Sequence, residues 1–283
     1  MFDAGQGPLK EKLKLSRSIA LVAVGLTTGV LGCMGEVADA DAVESPETDV
    51  ETSAQACVTT NGLSTMNGLS TMNGLSTMNG LSTMNGLSTM NGLKDGVGLM
   101  ASTAGRTTLS YLVKCALPAG KSITKKDQAG KSYSYAGSLG FGKGWENGSC
   151  DSDCQRWVSA CMLAHINTTG TSLGIWLVAD PSKQPQIGWS RSSTYPNQEG
   201  AFFGNIFTSP PTANYCGGRN IAAAQVAGRI GANVQGAPYT DPWGSNGQCE
   251  DHCTPSDSPN QQSGFKACNG NNNVVTVWRK AAY

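Results

Sequence analysis

The sequence has little charge and no excess of either sign. Charged residues make up 14% of the 283 residues, and 20 lysines and arginines balance 20 aspartates and glutamates. Proteins that bind nucleic acid usually have a basic patch or stripe, and no such cluster stands out in this chain. The composition therefore argues against a nucleic-acid partner.

The N-terminal apolar stretch is too short to cross a membrane. Ile19–Leu31 has thirteen uncharged residues, which span about 20 Å as a helix, whereas the hydrocarbon core of a bilayer is about 30 Å thick. A basic segment, residues 10–17, precedes this stretch, and that combination is typical of a secretory signal. We therefore predict that residues 1–32 are a signal peptide and that the protein is exported. A buried core helix is the alternative.

The apolar stretch ends in Val30-Leu31-Gly32-Cys33, which resembles the lipobox of bacterial lipoproteins. In that family the cysteine is lipidated and becomes the mature N-terminus, and each acyl methylene buried in the membrane contributes about 0.8 kcal/mol. The resemblance implies a lipid anchor on Cys33 and a place in the cell envelope, at the outer membrane. Cleavage after the A-x-A segment Ala38–Ala40 is the alternative, and it would leave a secreted protein.

Two low-complexity segments follow the signal. Residues 33–60 form an acidic linker, in which Glu36–Glu51 has seven acidic residues and no basic one. Residues 61–93 consist of five NGLSTM repeats and a final Asn-Gly-Leu, with an apolar residue at every third position. That spacing fits neither a helix nor a strand. We predict a disordered tether that continues through residues 94–102, with a short three-sided solenoid as the alternative.

The remaining residues, 103–283, have the apolar periodicity of a folded domain. Two helices, several short strands and long loops rich in glycine and asparagine predict a single α+β domain. The segment Asn220–Gly231 fits either a helix or a strand. The helices are predicted over Thr107–Leu117 and residues 153–167, and the strands over residues 121–126, 131–135, 172–178 and 274–279. Residues 201–207 form another apolar segment.

Three segments of this domain are distinctive: Tyr111–Gly120, Cys154–Cys161 and Glu199–Asn205. They resemble a domain of secreted and lipid-anchored proteins of myxobacteria. Asn-Gly-Leu repeats also occur upstream of that domain in such proteins. The resemblance implies an envelope location and this architecture, and it implies no activity.

Eight cysteines lie in the domain, and an oxidising compartment would pair them as disulfides. Eight cysteines allow 105 pairings, so the sequence alone leaves the connectivity open. Cys115 and Cys161 lie on the apolar faces of the two helices, where a bridge would join them. The C-x3-C spacing suggests the pairs Cys150–Cys154 and Cys249–Cys253, which leaves Cys216 with Cys268.

One cysteine outside the domain has no partner in this scheme. If Cys33 is lipidated, Cys57 is left over, and we predict a free thiol or an intermolecular bridge there. If Cys33 keeps its thiol, the two cysteines can pair with each other.

Zinc is the alternative to disulfides in the domain. The possible ligand sets are Cys150, Cys154 and Cys161 with His165, and Cys249, His252 and Cys253. Because export favours disulfides, we predict no metal and no cofactor.

Two motifs resemble catalytic sites but lack the required context. Ser172 lies in a G-x-S-x-G match, but a nucleophile elbow needs a strand before it and a helix after it, and here the predicted order is reversed. Cys150 opens a helix as in papain-like proteases, with His252 downstream, but the adjacent Asp151 disfavours a thiolate. We therefore predict no catalytic residue and favour a binding or surface module. A secreted hydrolase and a structural envelope component are the alternatives.

Four aromatic residues of predicted loops are candidate binding residues. Exposed rings among asparagine and glycine suit stacking on carbohydrate, so an extracellular glycan or protein is the expected ligand. Packing beneath long loops is the alternative. The four residues are Trp145, Trp189, Tyr195 and Trp243, whereas Trp157, Trp176 and Trp278 are predicted to lie in the core.

Overall fold

The computed structural model describes residues 57–61, 95–169, 173–190, 192–208, 211–232, 243–256 and 264–280. The predicted signal peptide, Cys33, Ser172 and nearly all of the repeat segment lie outside these residues. The side chains of residues 57–61 and of Trp243 also lie outside the description. No helix within the described ranges is long and apolar enough to cross a membrane.

The structure confirms the α+β class, with the three longer helices on one face of a six-stranded sheet. The helices are α1 (Thr103–Ala116), α2 (Ser152–His165), α3 (Ala223–Ile230) and the short α4 (Cys249–His252). The strands of the large sheet are β1 (Cys57–Asn61), β4 (Leu173–Val178), β10 (Val275–Arg279), β5 (Asn197–Asn205), β6 (Thr212–Gly217) and β7 (Trp243–Gln248), in that spatial order. Two small sheets pair β2 (Ser122–Lys126) with β3 (Ser132–Ala136), and β8 (Cys253–Pro255) with β9 (Phe265–Cys268).

Both predicted long helices are present and begin at side-chain caps. The Ser102 hydroxyl accepts the N–H of Gly105 at 3.0 Å, and Asp151 accepts the N–H of Cys154 at 2.9 Å. Because of the first cap, α1 begins four residues before the predicted start at Thr107. The ambiguous segment Asn220–Gly231 contains the helix α3.

The large sheet separates a helical layer from a smaller outer layer. Side chains of a strand alternate between its two faces, so Phe202 of β5 packs into the core under the helices. Its neighbours Ala201 and Phe203 pack on the opposite face, against the β8–β9 pair. Helices α1, α2 and α3 and the hairpin β2–β3 thus form the helical layer, and β8, β9 and α4 belong to the outer layer.

The strand β1 lies at the end of the predicted acidic linker, residues 33–60. Cys57–Asn61 pairs antiparallel with β4 at the edge of the large sheet. Val58, Thr59 and Thr60 are β-branched and favour a strand, but five residues are too few to reveal it by alternation. Residues 62–94, with most of the repeats, therefore connect one strand of the sheet to the rest of the domain.

A buried ion network joins the sheet to the helical layer. Arg229 of α3 donates to both carboxylate oxygens of Glu199 at 2.8 Å each, and both side chains are fully buried. The same guanidinium donates to the carbonyls of Ala164 and Ile166 at the end of α2. Arg279 of β10 lies 3.4 Å from Glu199. Glu199 thus pairs with two arginines, and one of them, Arg229, also binds the carbonyl groups at the C-terminus of α2.

Candidate functional site

The structure confirms two of the predicted disulfides. Cys115 of α1 and Cys161 of α2 are bonded, with Cα atoms 5.8 Å apart. Cys150 and Cys154 close a loop over the start of α2. The first pair was predicted from the apolar faces of the two helices, and the second from the C-x3-C spacing.

The predicted pairs Cys249–Cys253 and Cys216–Cys268 are wrong. The structure pairs Cys216 with Cys249 and Cys253 with Cys268. The parallel pairing of β6 with β7 brings Cys216 beside Cys249, which follows β7. The antiparallel pairing of β8 with β9 places Cys253 directly opposite Cys268.

These disulfides bear on the two alternatives proposed for the cysteines, a thiolate nucleophile and a zinc site. The Cys150 sulfur is bonded to Cys154, so it is not a thiolate nucleophile in this structure. Two groups of candidate metal ligands lie close together in space, and their sulfurs are likewise bonded in disulfides. The groups are Cys115, Cys161 and His165, and Cys216, Cys249 and Cys253.

His165 lies beside the Cys115–Cys161 disulfide and is fully buried. Its Nδ1 lies 2.8 Å from the carbonyl oxygen of Cys161 and therefore donates a proton to it. Burial lowers the pKa of this imidazole to about 3. His165 is thus a neutral core residue.

The predicted binding aromatics fall into separate environments. Trp145 is wrong as an exposed ring, since it is only 1% exposed and packs edge-on against Phe207, 5.5 Å between ring centroids. The loop that holds it folds into a 3-10 turn against the helical-layer core. Trp189 and Tyr195 are half-buried on the outer face of the sheet. Trp243 was predicted in a loop but begins strand β7, and its side chain lies outside the description.

Trp189 and Tyr195 belong to a cluster that we name the aromatic stripe: Trp176, Trp189, Tyr195 and Trp278. Trp176 of β4 lies opposite Trp278 of β10 in the antiparallel register. The rings of Trp176 and Tyr195 are 6.0 Å apart and inclined at 30°. The Trp176 indole N–H donates to the Ser190 carbonyl at 2.7 Å, which fixes the orientation of the ring.

Two glycines allow the outer rings of the stripe to lie close against the backbone. A Cβ at Gly174 would lie 3.1 Å from the Tyr195 hydroxyl oxygen. A Cβ at Gly264 would lie 2.6 Å from the Trp189 ring, a distance that real Cβ atoms do not adopt. The stripe thus follows β4 from Gly174 to Val178, about 13 Å at 3.3 Å per residue.

Trp176 was predicted to lie in the core and not among the binding residues, but it is half-buried on the outer face of the sheet. The alternation in Leu173–Val178 is the signal that identifies its two faces. Ile175 and Leu177 are fully buried under the helices, whereas Trp176 is half-buried on the opposite face. Trp278 is in the core as predicted, at 3% exposure, and forms the floor of the stripe.

The stripe presents partly exposed aromatic faces edged by backbone polar groups. Such faces bind ligands that have apolar C–H surfaces, because stacking removes apolar area from water on both sides. Sugar rings have such surfaces together with hydroxyls that hydrogen-bond at the edge of the ring. The arrangement therefore suits non-covalent binding of a carbohydrate.

Comparison with known proteins leaves the resemblance to the myxobacterial domain as a prediction. No protein-family model, curated protein or solved structure matches this chain.

Proposed function

We propose that the protein is an exported, lipid-anchored envelope protein whose disulfide-bonded domain binds carbohydrate through the aromatic stripe. The observation on which the binding rests is the grouping of three half-buried rings, Trp176, Trp189 and Tyr195, on one face of the sheet. Single exposed aromatics are common on protein surfaces, whereas a contiguous group indicates a binding surface.

Export is supported by the cysteine chemistry of the domain. All eight of its cysteines are paired in four disulfides, and such bonds persist in oxidising compartments. Together with the signal sequence, these bonds favour a protein that folds outside the cytoplasm.

Anchoring depends on Cys33 and is tested by fractionation. We expect Cys33→Ser to move the protein from the detergent-extracted membrane fraction to the soluble fraction. The intact mass of the mature wild-type protein would report the acyl chains and the cleavage site together. A mature N-terminus at Asp41 would contradict the lipid anchor and indicate a secreted protein.

Carbohydrate binding is tested on the soluble Cys33→Ser form with a glycan array. We expect the protein to prefer oligosaccharides over monosaccharides, because the stripe extends over several residues of β4. Binding should perturb the fluorescence of Trp176, whose indole lies at the surface of the stripe. Trp176→Ala should weaken binding at least about tenfold, which corresponds to about 1.4 kcal/mol.

Tyr133→Ala is the matched control for this variant. Tyr133 is a half-buried aromatic residue of β3, outside the stripe. Equal loss of binding in both variants, with unchanged melting temperatures, would contradict the stripe as the site. Shortening of a bound oligosaccharide during incubation would favour the secreted hydrolase instead.

A further inference from the structure

A polar pocket of about 300 Å³ lies at the N-terminal end of α2. It shares no residue with the aromatic stripe. Ligand-binding pockets range from about 300 to 1,000 Å³, so this volume suits one small molecule. The lining residues are Asp153, Arg156, Lys183, Gly270, Asn271, Asn272 and Asn273.

A tight turn after β9 holds one wall of the pocket in place. Cys268 and Asn271 exchange two backbone hydrogen bonds, of 2.9 and 2.8 Å. Between them Asn269 and Gly270 have φ values of +49° and +78°, and Asn-Gly is the sequence preferred for such turns. The Cys253–Cys268 disulfide fixes the start of the turn.

A second contact orients the acidic group of the pocket. Asn273 is 4% exposed, and its amide nitrogen donates to the Asp153 carboxylate at 2.9 Å. The other carboxylate oxygen has no partner among the described residues, so it is an acceptor for a ligand. The wall and the carboxylate are therefore arranged before any ligand binds.

Two cations from different elements line the same pocket without ion-pair partners. Arg156 lies on α2, one turn after Asp153, and Lys183 lies in the loop that follows β4. In the described part of the chain neither forms an ion pair with a carboxylate. With Asp153 they give the pocket a net charge of one positive unit.

We infer that this pocket binds a monoanionic sugar, a hexuronic acid, as a free molecule or as a residue of a polysaccharide. The planar guanidinium of Arg156 matches a planar carboxylate through paired hydrogen bonds, and Lys183 supplies a second positive charge. The side-chain amides of Asn271 and Asn272 and the free oxygen of Asp153 match the sugar hydroxyls, which both donate and accept.

The same charges disfavour other anions. A phosphate dianion would place its second negative charge near Asp153, where like charges repel. A simple carboxylate such as acetate would leave the amides without ligand partners. The combination of two cations, one carboxylate and the two amides of Asn271 and Asn272 therefore favours an acidic sugar over either.

The inference is tested by nuclear magnetic resonance on the soluble Cys33→Ser protein. Galacturonate and glucuronate are titrated separately, with galactose, acetate and inorganic phosphate as comparison probes. We expect a uronate to shift the side-chain amide signals of Asn271–Asn273 saturably and to bind at least about tenfold more tightly than the three comparison probes. Binding should also weaken as salt screens the two cations.

Variants at exposed residues separate the pocket from the fold. Arg156→Gln and Lys183→Gln should each weaken uronate binding severalfold, whereas Lys143→Gln, an exposed lysine elsewhere, should leave it unchanged. Equal affinity for galactose or acetate, tighter binding of phosphate, no saturable uronate shift, or no effect of Arg156→Gln would overturn the inference. Trp176→Ala removes the stripe without touching the pocket, so uronate binding in that variant distinguishes the two proposals.

Discussion

The two layers that cover the large sheet are stabilised by different means. The helical layer encloses a large apolar cluster that extends through α1, α2, α3 and the β2–β3 hairpin. The outer layer encloses a cluster of seven buried residues, three of which are cysteines. Its members are Ala201, Phe203, Cys216, Cys249, Phe265, Cys268 and Val274.

The difference shows where the disulfides matter most. A fully buried large apolar side chain contributes about 1.5–3 kcal/mol, so the helical layer has many such contributions besides its two disulfides, Cys115–Cys161 and Cys150–Cys154. The outer layer has few, and its two disulfides lie side by side, with the sulfurs of Cys216 and Cys253 3.5 Å apart. We infer that apolar burial holds the helical layer and that covalent bonds hold the outer layer.

The largest effect is expected from the buried ion network of the helical layer. Glu199→Gln leaves the buried guanidiniums of Arg229 and Arg279 without a full counter-charge, so unfolding free energy should fall by about 3–5 kcal/mol. Urea unfolding measures the change. The control is Glu250→Gln, which breaks an exposed ion pair with Arg219 and should cost at most about 1 kcal/mol. Similar losses in both variants would contradict a special role for Glu199.

Removing the outer disulfide Cys253–Cys268 should cost about 3 kcal/mol and act locally. The Cys253→Ala/Cys268→Ala protein should lose hydrogen-exchange protection first in β8 and β9, because few apolar contacts remain there. The matched control is Cys115→Ala/Cys161→Ala, in which the α1 and α2 amides should stay protected by the apolar core. If α1 and α2 exchange faster in the control than β8 and β9 do in the Cys253→Ala/Cys268→Ala protein, the helical layer depends more on the Cys115–Cys161 disulfide than the outer layer does on Cys253–Cys268, which contradicts the prediction.

Low pH should lower the free energy of unfolding through His165, which lies in the helical layer. Free histidine has a pKa of about 6.5, and burial lowers that of His165 to about 3. The unfolded chain therefore binds a proton that the folded chain excludes. The stabilisation from neutral His165 is complete above pH 6.5 and is lost as pH falls toward 3, by about 1.4 kcal/mol per pH unit.

The measurement is urea unfolding between pH 7 and pH 4, compared with His165→Gln. Gln cannot gain a charge, so the stability of this variant should fall less steeply over that range. Parallel pH profiles for the two proteins would mean that His165 does not contribute. Carboxylates titrate in both proteins, and the comparison removes their effect.

The contrast between the layers also explains what the sequence predicted and what it did not. α1, α2 and the β2–β3 hairpin follow from local periodicity, a cap or a turn, and they were predicted. The strands β6 to β9 are short, and some are rich in glycine and asparagine, so their pairing depends on distant partners. The pairing of Cys216, Cys249, Cys253 and Cys268 depends on those strands, and it was predicted wrongly for that reason.

The aromatic stripe, like the outer disulfides, depends on strand pairing that local sequence does not determine. Trp189 and Tyr195 were predicted as loop residues with binding potential. Their grouping with Trp176 requires the register of β4 against β10 and the path of the loop after β4. Neither is encoded in a local pattern, so the sequence identified two members of the aromatic stripe without their grouping.

The smallest effect is expected from the repeats, which we predict to support neither layer. Residues 62–94 form a connection of 33 residues between β1 and the rest of the domain. Deleting two NGLSTM units removes twelve of these residues. If the connection is flexible, the shorter loop costs less entropy to close, and the domain gains about 0.4 kcal/mol. Thermal unfolding of the deletion variant should therefore show an equal or slightly higher melting temperature.

The control is Val58→Pro, which should weaken the pairing of β1 with β4 and lower the melting temperature. A loss of several degrees in the repeat deletion would show that the repeats pack on the domain and stabilise it in addition to the helical and outer layers.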